Sequence, residues 1–266
     1  MDEYEWLKYR IKLITLNNDM YKKINSGNYY KDAFKPGAWT MIKELLLAYY
    51  APEYITILRK RDWIKELCYV DLFAGSGVIT LKKLGKNYLG SPLIVNYAIK
   101  KNFDKYYFFD NDEGNTNQLK GLIQDKDSSV FYGDSNIEID RILPELSKHG
   151  VHSLIFIDPF AMEIKFDTIR KLSSIGCDLM MNVATEEIKR AVDQYYSKNW
   201  NTKALNGFFG DEKWKTNLTY SSGDQEIYDY YSKKIVEEAG KKKPRSTKIY
   251  KTLNGHHYYI LTSFQY

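Results

Sequence analysis

The sequence predicts a doubly wound, mostly parallel α/β sheet with a helical extension at its N-terminus and an antiparallel hairpin at its C-terminus. Three observations predict it. From residue 67 onward, short apolar runs alternate with helix-period segments, the pattern of strand–helix–strand crossovers. Successive apolar runs end on acids: Asp71, Asp110, Asp134 and Asp158. The last two apolar runs flank Asn254-Gly255, a strong two-residue hairpin signal.

Taken in order, residues 1–66 read as helical. Apolar residues recur at three- and four-residue spacing from Trp39 to Tyr49, after a start marked by Pro36-Gly37. The stretch NSGNYYKDAFKPG (25–37) reads as a loop. CYVDLF is the first strand, and PLIVNYAIKK is a helix opened by Ser91-Pro92. YYFFD is a strand ending at Asp110, followed by a helix over 115–124. SSVFYGD is a strand ending at Asp134, followed by the helix NIEIDRILPELSK. SLIFIDPF is a strand ending at Asp158, followed by the helix KFDTIRKLSSI. DLMMNV is a strand ending near Asn182, and TEEIKRAVDQYYSK is a helix. Residues 199–223 read as an insertion with two Trp and two Phe, and 224–240 as a helix. The sequence therefore divides into an extension, 1–66, and an α/β domain, 67–266.

Composition narrows the class. With 44% hydrophobic and 15% aromatic residues in 266, a packed core is affordable and disorder is not expected. The net charge of +5 and pI near 8.8 permit a nucleic acid partner without requiring one. Cys68 and Cys177 are far apart in apolar contexts and read as buried thiols in a reducing, cytoplasmic setting. The four histidines form no ligand pattern, so no metal is expected. No apolar run approaches a membrane span. The one dense basic run is KKKPR, 241–245.

In an open α/β sheet, ligands bind at the carboxyl ends of the strands, near the point where strand order reverses. The glycines of VDLFAGSG, Gly75 and Gly77, let the backbone turn sharply there and approach a ligand closely. A dinucleotide fingerprint requires a third glycine, but Thr80 stands there, and a phosphate-binding P-loop is absent. The missing third glycine and the acid before the loop count against a nicotinamide-dependent oxidoreductase. An acid before the turn suits a ligand with a cationic, amino-acid-like end, and S-adenosylmethionine (SAM) is such a ligand. Asp71 serves it directly or through the loop. Asp110 suits ribose hydroxyls. Asp134 suits an exocyclic adenine amine, with Ser135 offering a backbone N–H.

The stretch FIDPFAMEIKF carries the transfer chemistry. Asp158 offers a carboxylate, Pro159 removes a donor, and Phe160 offers a stacking face. Together these could hold an exocyclic amine with its lone pair aimed at an electrophilic methyl, so that catalysis is mostly positioning.

VDLFAGSG, FFD, YGDS and IDPF, in this order, resemble motifs I to IV of class I SAM-dependent methyltransferases. The chain also resembles, more narrowly, the three-Cys-motif partner family (TcmP). That likeness rests on WTMIKELLLAYY, YVDLFAGSG, LGSPLIVNYAI, IFIDPFAMEIKFDTIRKL, DLMMNVATEEIKR and YYILTSF. The resemblance implies a Rossmann-like methyltransferase fold with SAM as cofactor, bound by Asp71, Phe73, Ala74, Gly75, Gly77, Asp110, Asp134 and Ser135. It places Asp158, Pro159 and Phe160 at the transfer site, with Asn182 lining the target pocket. The DPF tripeptide is similar to that of tRNA guanine-N2 methyltransferases. Two departures are present: Ala161 stands where those families usually have glycine, and the second proline of D/N-P-P-Y/F/W is missing. The expected activity is methylation of a nucleobase amine in RNA or DNA. The alternative is a catalytically silent SAM-binding subunit of a radical-SAM-like three-cysteine protein. Aromatic residues of the 199–223 insertion, with Lys203, Lys213, Lys215 and the 241–245 run, are the candidate nucleic acid contacts.

Overall fold

The computed structural model describes residues 18–27, 38–81, 84–99, 102–198, 202–242 and 244–250, the backbone of 257–264, and positions 12, 15 and 29. Seven strands form one sheet in the order β5-β4-β1-β6-β7-β9-β8, and β2 and β3 form a separate antiparallel pair. This is the Rossmann-like, doubly wound arrangement: chain order runs outward in one direction from β1 and then reverses through β6. The chain clusters into two compact units, residues 1–138 with 149–154, and residues 139–148 with 155–266.

In the first unit, helix α1 (Asp19–Ser26) is capped by Asn18, whose side chain accepts from the Tyr21 N–H. It takes in Asn25 and Ser26, which the sequence places in a loop. Most of that loop, with Pro36-Gly37, lies outside the described residues. Helix α2 (Ala38–Leu58) follows. β1 (Glu66–Asp71) is buried from Leu67 onward, as a strand covered on both faces must be.

The Gly75–Gly77 turn does not open a helix. It leads into the hairpin β2 (Val78–Leu81) and β3 (Lys86–Leu89). Helix α1 is tied to this hairpin: Asn25 Nδ2 donates to the Asn87 carbonyl, and Asn87 N donates to Asn25 Oδ1. The helical turn α3 (Ser91–Leu93) then continues as a π-helical turn over Ile94–Ala98, shorter than the sequence pattern suggests.

β4 (Lys105–Asp110) pairs in parallel with β1 and with β5 (Ser128–Tyr132). Between β4 and β5 in sequence lies α4 (Glu113–Leu122), capped by Asp112 accepting from Asn115 N at 2.8 Å. β5 stops two residues before Asp134. The expected helix over 136–148 is broken into α5 (Ser135–Glu138), a 3-10 turn (Ile139–Arg141) and α6 (Leu143–Leu146), with Pro144 inside the last.

In the second unit, the later residues of β6 (Val151–Ile157) are fully buried. Helix α7 (Phe166–Ser173), β7 (Cys177–Val183) and α8 (Thr185–Lys198) follow. The 199–223 stretch contains α9 (Lys203–Phe209) and α10 (Trp214–Asn217) and is followed by α11 (Asp224–Ala239). β9 (His257–Phe264) runs antiparallel to β7 and to the edge strand β8 (Arg245–Tyr250). The expected Asn254-Gly255 turn lies outside the described residues. Cys68 and Cys177 are both buried thiols. Among the described residues, no helix is long and apolar enough to cross a membrane.

Candidate functional site

The end of β1 folds around its acid. Asp71 is fully buried, and its carboxylate accepts from the Phe73 N–H at 3.2 Å and the Tyr69 hydroxyl at 3.3 Å. Asp71 therefore shapes the turn from beneath.

The turn itself is held from β4. Ala74 N donates to the Phe109 carbonyl at 2.8 Å. Gly75 N donates to Asp110 Oδ2 at 2.9 Å. The other carboxylate oxygen of Asp110 accepts from Asp112 N at 2.9 Å and Asn115 Nδ2 at 3.1 Å. One acid thus fastens the loop after β1 to the loop after β4.

The two glycines differ. Both have positive φ, 60° at Gly75 and 78° at Gly77. A Cβ on Gly75 would meet nothing within 4 Å, whereas one on Gly77 would lie 2.8 Å from Leu119 Cδ1 and 3.2 Å from Leu93 Cγ. Gly75 therefore presents backbone to open space, and Gly77 permits close packing of α4 and α3.

Asp134 is exposed and acts as an N-cap of α5. Its Oδ1 accepts from Asn136 N at 2.9 Å and Asn136 Nδ2 at 2.7 Å, and its carbonyl accepts from Ile137 and Glu138. Ser135 is buried beside it. Exposed Tyr132 and Ile137 flank this corner.

In the second unit, Asp158 follows β6 directly. Its Oδ1 accepts from Asn182 Nδ2 at 2.6 Å. Asn182 is the penultimate residue of β7, close to the expected strand end, and is buried. Pro159 is buried, while Phe160 is 64% exposed, unusual for a large aromatic ring. The following turn is closed by Ala161 N donating to Glu163 Oε2 at 2.7 Å. The structure thus brings Asp71, Phe73, Ala74, Gly75 and Asp110 together in one unit, and Asp158 and Asn182 in the other. Among the described residues, no cluster of His, Cys, Asp or Glu could hold a metal.

Three of the insertion's aromatics face the core, while Tyr220 is exposed. Phe208, Phe209 and Trp214 are buried in a cluster with Tyr231, and Trp214 Nε1 donates to Asn206 Oδ1. Apolar rings that pack on their own chain cannot stack on bases. Trp200 lies outside the described residues. Nor is the 241–245 run wholly solvated: Lys241 is buried, and its Nζ donates to the Cys177 carbonyl at 2.6 Å, 3.3 Å from Cys177 Sγ. Burial pushes the Cys177 thiol up to about 11, against the pull of this ammonium. Lys215 is paired with Glu212 at 2.9 Å, whereas Lys213 is exposed.

No protein-family model and no curated protein sequence matches the chain. Solved structures do resemble it at low identity. The methyltransferase domain of bacterial CtHen1 is 12% identical with a TM-score of 0.41, covering 81% of this chain and 96% of that one. Trm1 from Pyrococcus horikoshii, solved with S-adenosyl-L-methionine, is 8% identical with a TM-score of 0.46, covering 90% of this chain and 58% of its own. TYW2 from P. horikoshii, solved with MeSAdo, is 14% identical with a TM-score of 0.42, covering 87% of this chain and 64% of its own.

Proposed function

We propose that the chain is a SAM-dependent methyltransferase acting on an exocyclic amine of a nucleobase in RNA or DNA. The observation that carries the reading is the fastening of Gly75 by Asp110. A positive-φ glycine faces open space at the carboxyl end of β1, and a strand-end carboxylate holds its N–H. This fits a ligand with ribose hydroxyls and an amino-acid tail better than a diphosphate, which prefers a helix N-terminus after the turn. Here a hairpin follows instead.

In this reading Asp110 takes the ribose, the 73–77 turn takes the methionine end, and Asp134 with Ser135 borders the adenine. The bound cofactor supplies an electrophilic methyl. Asp158 accepts an N–H of the acceptor amine, which directs the nitrogen lone pair outward. The proton shed by that nitrogen leaves toward the same carboxylate. Phe160 offers its exposed face to the base. Pro159 stiffens the loop between them and adds no competing N–H. Within the reading, residues 1–66 form an accessory segment beside a methyltransferase domain of residues 67–266. The resemblance to three-Cys-motif partners adds a radical-SAM-like protein as a candidate partner.

The test is calorimetric titration with S-adenosylhomocysteine, beside Asp110→Ala. Micromolar binding that weakens tenfold or more in the variant is expected. A tritiated-methyl screen over total tRNA, rRNA and DNA follows, with Asp158→Ala as blank. Cofactor binding without transfer to any nucleic acid would favour the silent-subunit alternative, and no binding at all would sink both.

A further inference from the structure

The segment ILRKRDWIK, 57–65, joins α2 to β1 and carries four basic residues and one acid over 59–65. It is not a loose linker. Arg61 N donates to the Leu58 carbonyl and Ile64 N to the Arg61 carbonyl, so two successive turns fold it up. Lys65 N and Glu66 N both donate to the Gly150 carbonyl, at 2.8 and 3.1 Å. Arg59 is committed to Asp104 at 2.6 Å. Lys60, Arg61 and Lys65 are exposed. Between them stands Trp63, 50% exposed. Its ring meets His152 edge-on at 6.1 Å, and His152 is itself hydrogen-bonded to the buried Tyr54 hydroxyl at 2.7 Å.

Cations after a helix have an ordinary explanation, since they offset the negative end of its dipole. That explanation has no use for a half-open indole braced from behind. An aromatic face set among ammonium and guanidinium groups suits a phosphodiester strand, whose bases stack and whose phosphates pair. We infer that Lys60, Arg61, Trp63 and Lys65 form a nucleic-acid-anchoring surface at the amino end of β1. The inference rests on the acceptor class proposed above and extends it. β1 has six residues, so the surface stands about 20 Å from the Asp71 turn at roughly 3.3 Å per residue. A base delivered to the strand ends would then belong to a long or structured nucleic acid, held at a second point.

The experiment is fluorescence anisotropy with a labelled single-stranded RNA, and with the same sequence in a duplex, at about 50 and about 200 mM salt. Wild type is compared with Lys60→Ala/Arg61→Ala and with Trp63→Ala, alongside S-adenosylhomocysteine titration of each. The double variant is expected to bind RNA at least tenfold more weakly and to lower the slope of log K against log salt by about 1.4 for two single-strand contacts. Trp63→Ala is expected to lose roughly tenfold, on the single strand more than on the duplex. Cofactor affinity should stay within twofold in both. Nucleic acid binding that both variants leave unchanged overturns the inference and leaves the methyltransferase reading standing. So does loss of capture of an acidic protein instead of RNA. A wild type that binds the cofactor but no nucleic acid overturns the surface and the acceptor class together.

Discussion

Asn182 donates an amide hydrogen to the Asp158 carboxylate across 2.6 Å, from the penultimate residue of β7 to the residue that follows β6. A carboxylate only accepts, so this contact fixes which end of the amide faces it. The amide's other end, Oδ1, is buried and has no hydrogen-bond partner among the described residues. A buried, unsatisfied carbonyl costs about 1–3 kcal/mol. The fold carries this cost at the side chain that orients Asp158, as the proposed role of Asp158 at the acceptor amine would require.

Replacing Asn182 separates orientation from stability. Asn182→Leu removes both the donor and the orphaned acceptor, so its thermal midpoint should stay level or rise. Its methyl-transfer kcat should fall about 10- to 100-fold, the worth of a hydrogen bond to a charged group at about 1.5–3 kcal/mol. Asn182→Asp sets a second carboxylate beside the first, and like charges raise an apparent pKa, so the acidic limb of the pH–rate profile should move upward. A lower midpoint with unchanged kcat would give Asn182 a structural role only.

The two glycines of the turn should respond differently to alanine. Gly77→Ala combines positive φ with a Cβ 2.8 Å from Leu119, so a loss of about 2–4 kcal/mol is expected in urea unfolding. Gly75→Ala meets open space and should cost about 1–2 kcal/mol of backbone strain. Its main effect should fall on S-adenosylhomocysteine affinity, because the new methyl projects where the ligand is proposed to lie. Equal stability losses in the two variants would contradict this division of roles.

What the sequence made legible was whatever depends on local pattern. The buried runs of β1, β4 and β6, the length of α8, and the antiparallel ending all follow from apolar period and turn chemistry. Asp71, Asp110 and Asp158 stand out in the sequence because acids at strand ends contrast with apolar runs. Other features depended on contacts between distant residues. Gly77 reads as a glycine for close ligand approach, whereas Leu119 and Leu93 are what pack against it. Asp134 looked like a strand end, but the ladder stops at Tyr132 and Asn136 takes its carboxylate. Asn182 gave only the signal of a polar residue in an apolar strand, and its bond to Asp158 spans 24 positions. The Arg59–Lys65 run carries little signal in the sequence because charges after a helix are ordinary, while KKKPR is conspicuous although one of its lysines is buried.

The aromatic insertion yields a prediction of stability, not of binding. Trp214 is fully buried against Phe209 and Tyr195, with its indole N–H on Asn206. Trp214→Ala should cost about 3–5 kcal/mol by chemical denaturation. The folded fraction should keep wild-type affinity for RNA. A stable variant that has lost RNA binding would return this stretch to the interface.

The charge network around Lys234 gives a pH dependence whose sign is set by its acids. Lys234 is 5% exposed and donates to Asp211 at 2.6 Å and to Glu238, and Glu238 also accepts from Arg170 at 2.7 Å. Partial burial pushes both carboxylates up, but Lys234 outweighs it, joined by Lys213 at Asp211 and by Arg170 at Glu238, and both lie below their ordinary values of 3.8 and 4.5. A depressed folded-state pKa means that the unfolded chain binds protons first. The stability these acids contribute is therefore complete above about pH 5 and is lost as pH falls through their folded values. The ammonium stays charged throughout this range, because its pairing with the two acids outweighs burial and raises it. Lys234→Met should remove most of this contribution, leaving Arg170 on Glu238 and the Lys213 N–H on Asp211. It should cost about 1–3 kcal/mol at neutral pH, less than a fully buried pair because both acids reach solvent. Urea unfolding at pH 7, 5 and 3.5 tests it: the gap between wild type and variant should narrow as pH drops. A gap that holds constant or widens toward acid would mean that Lys234 acts through its packing over Phe166 and not through its charge.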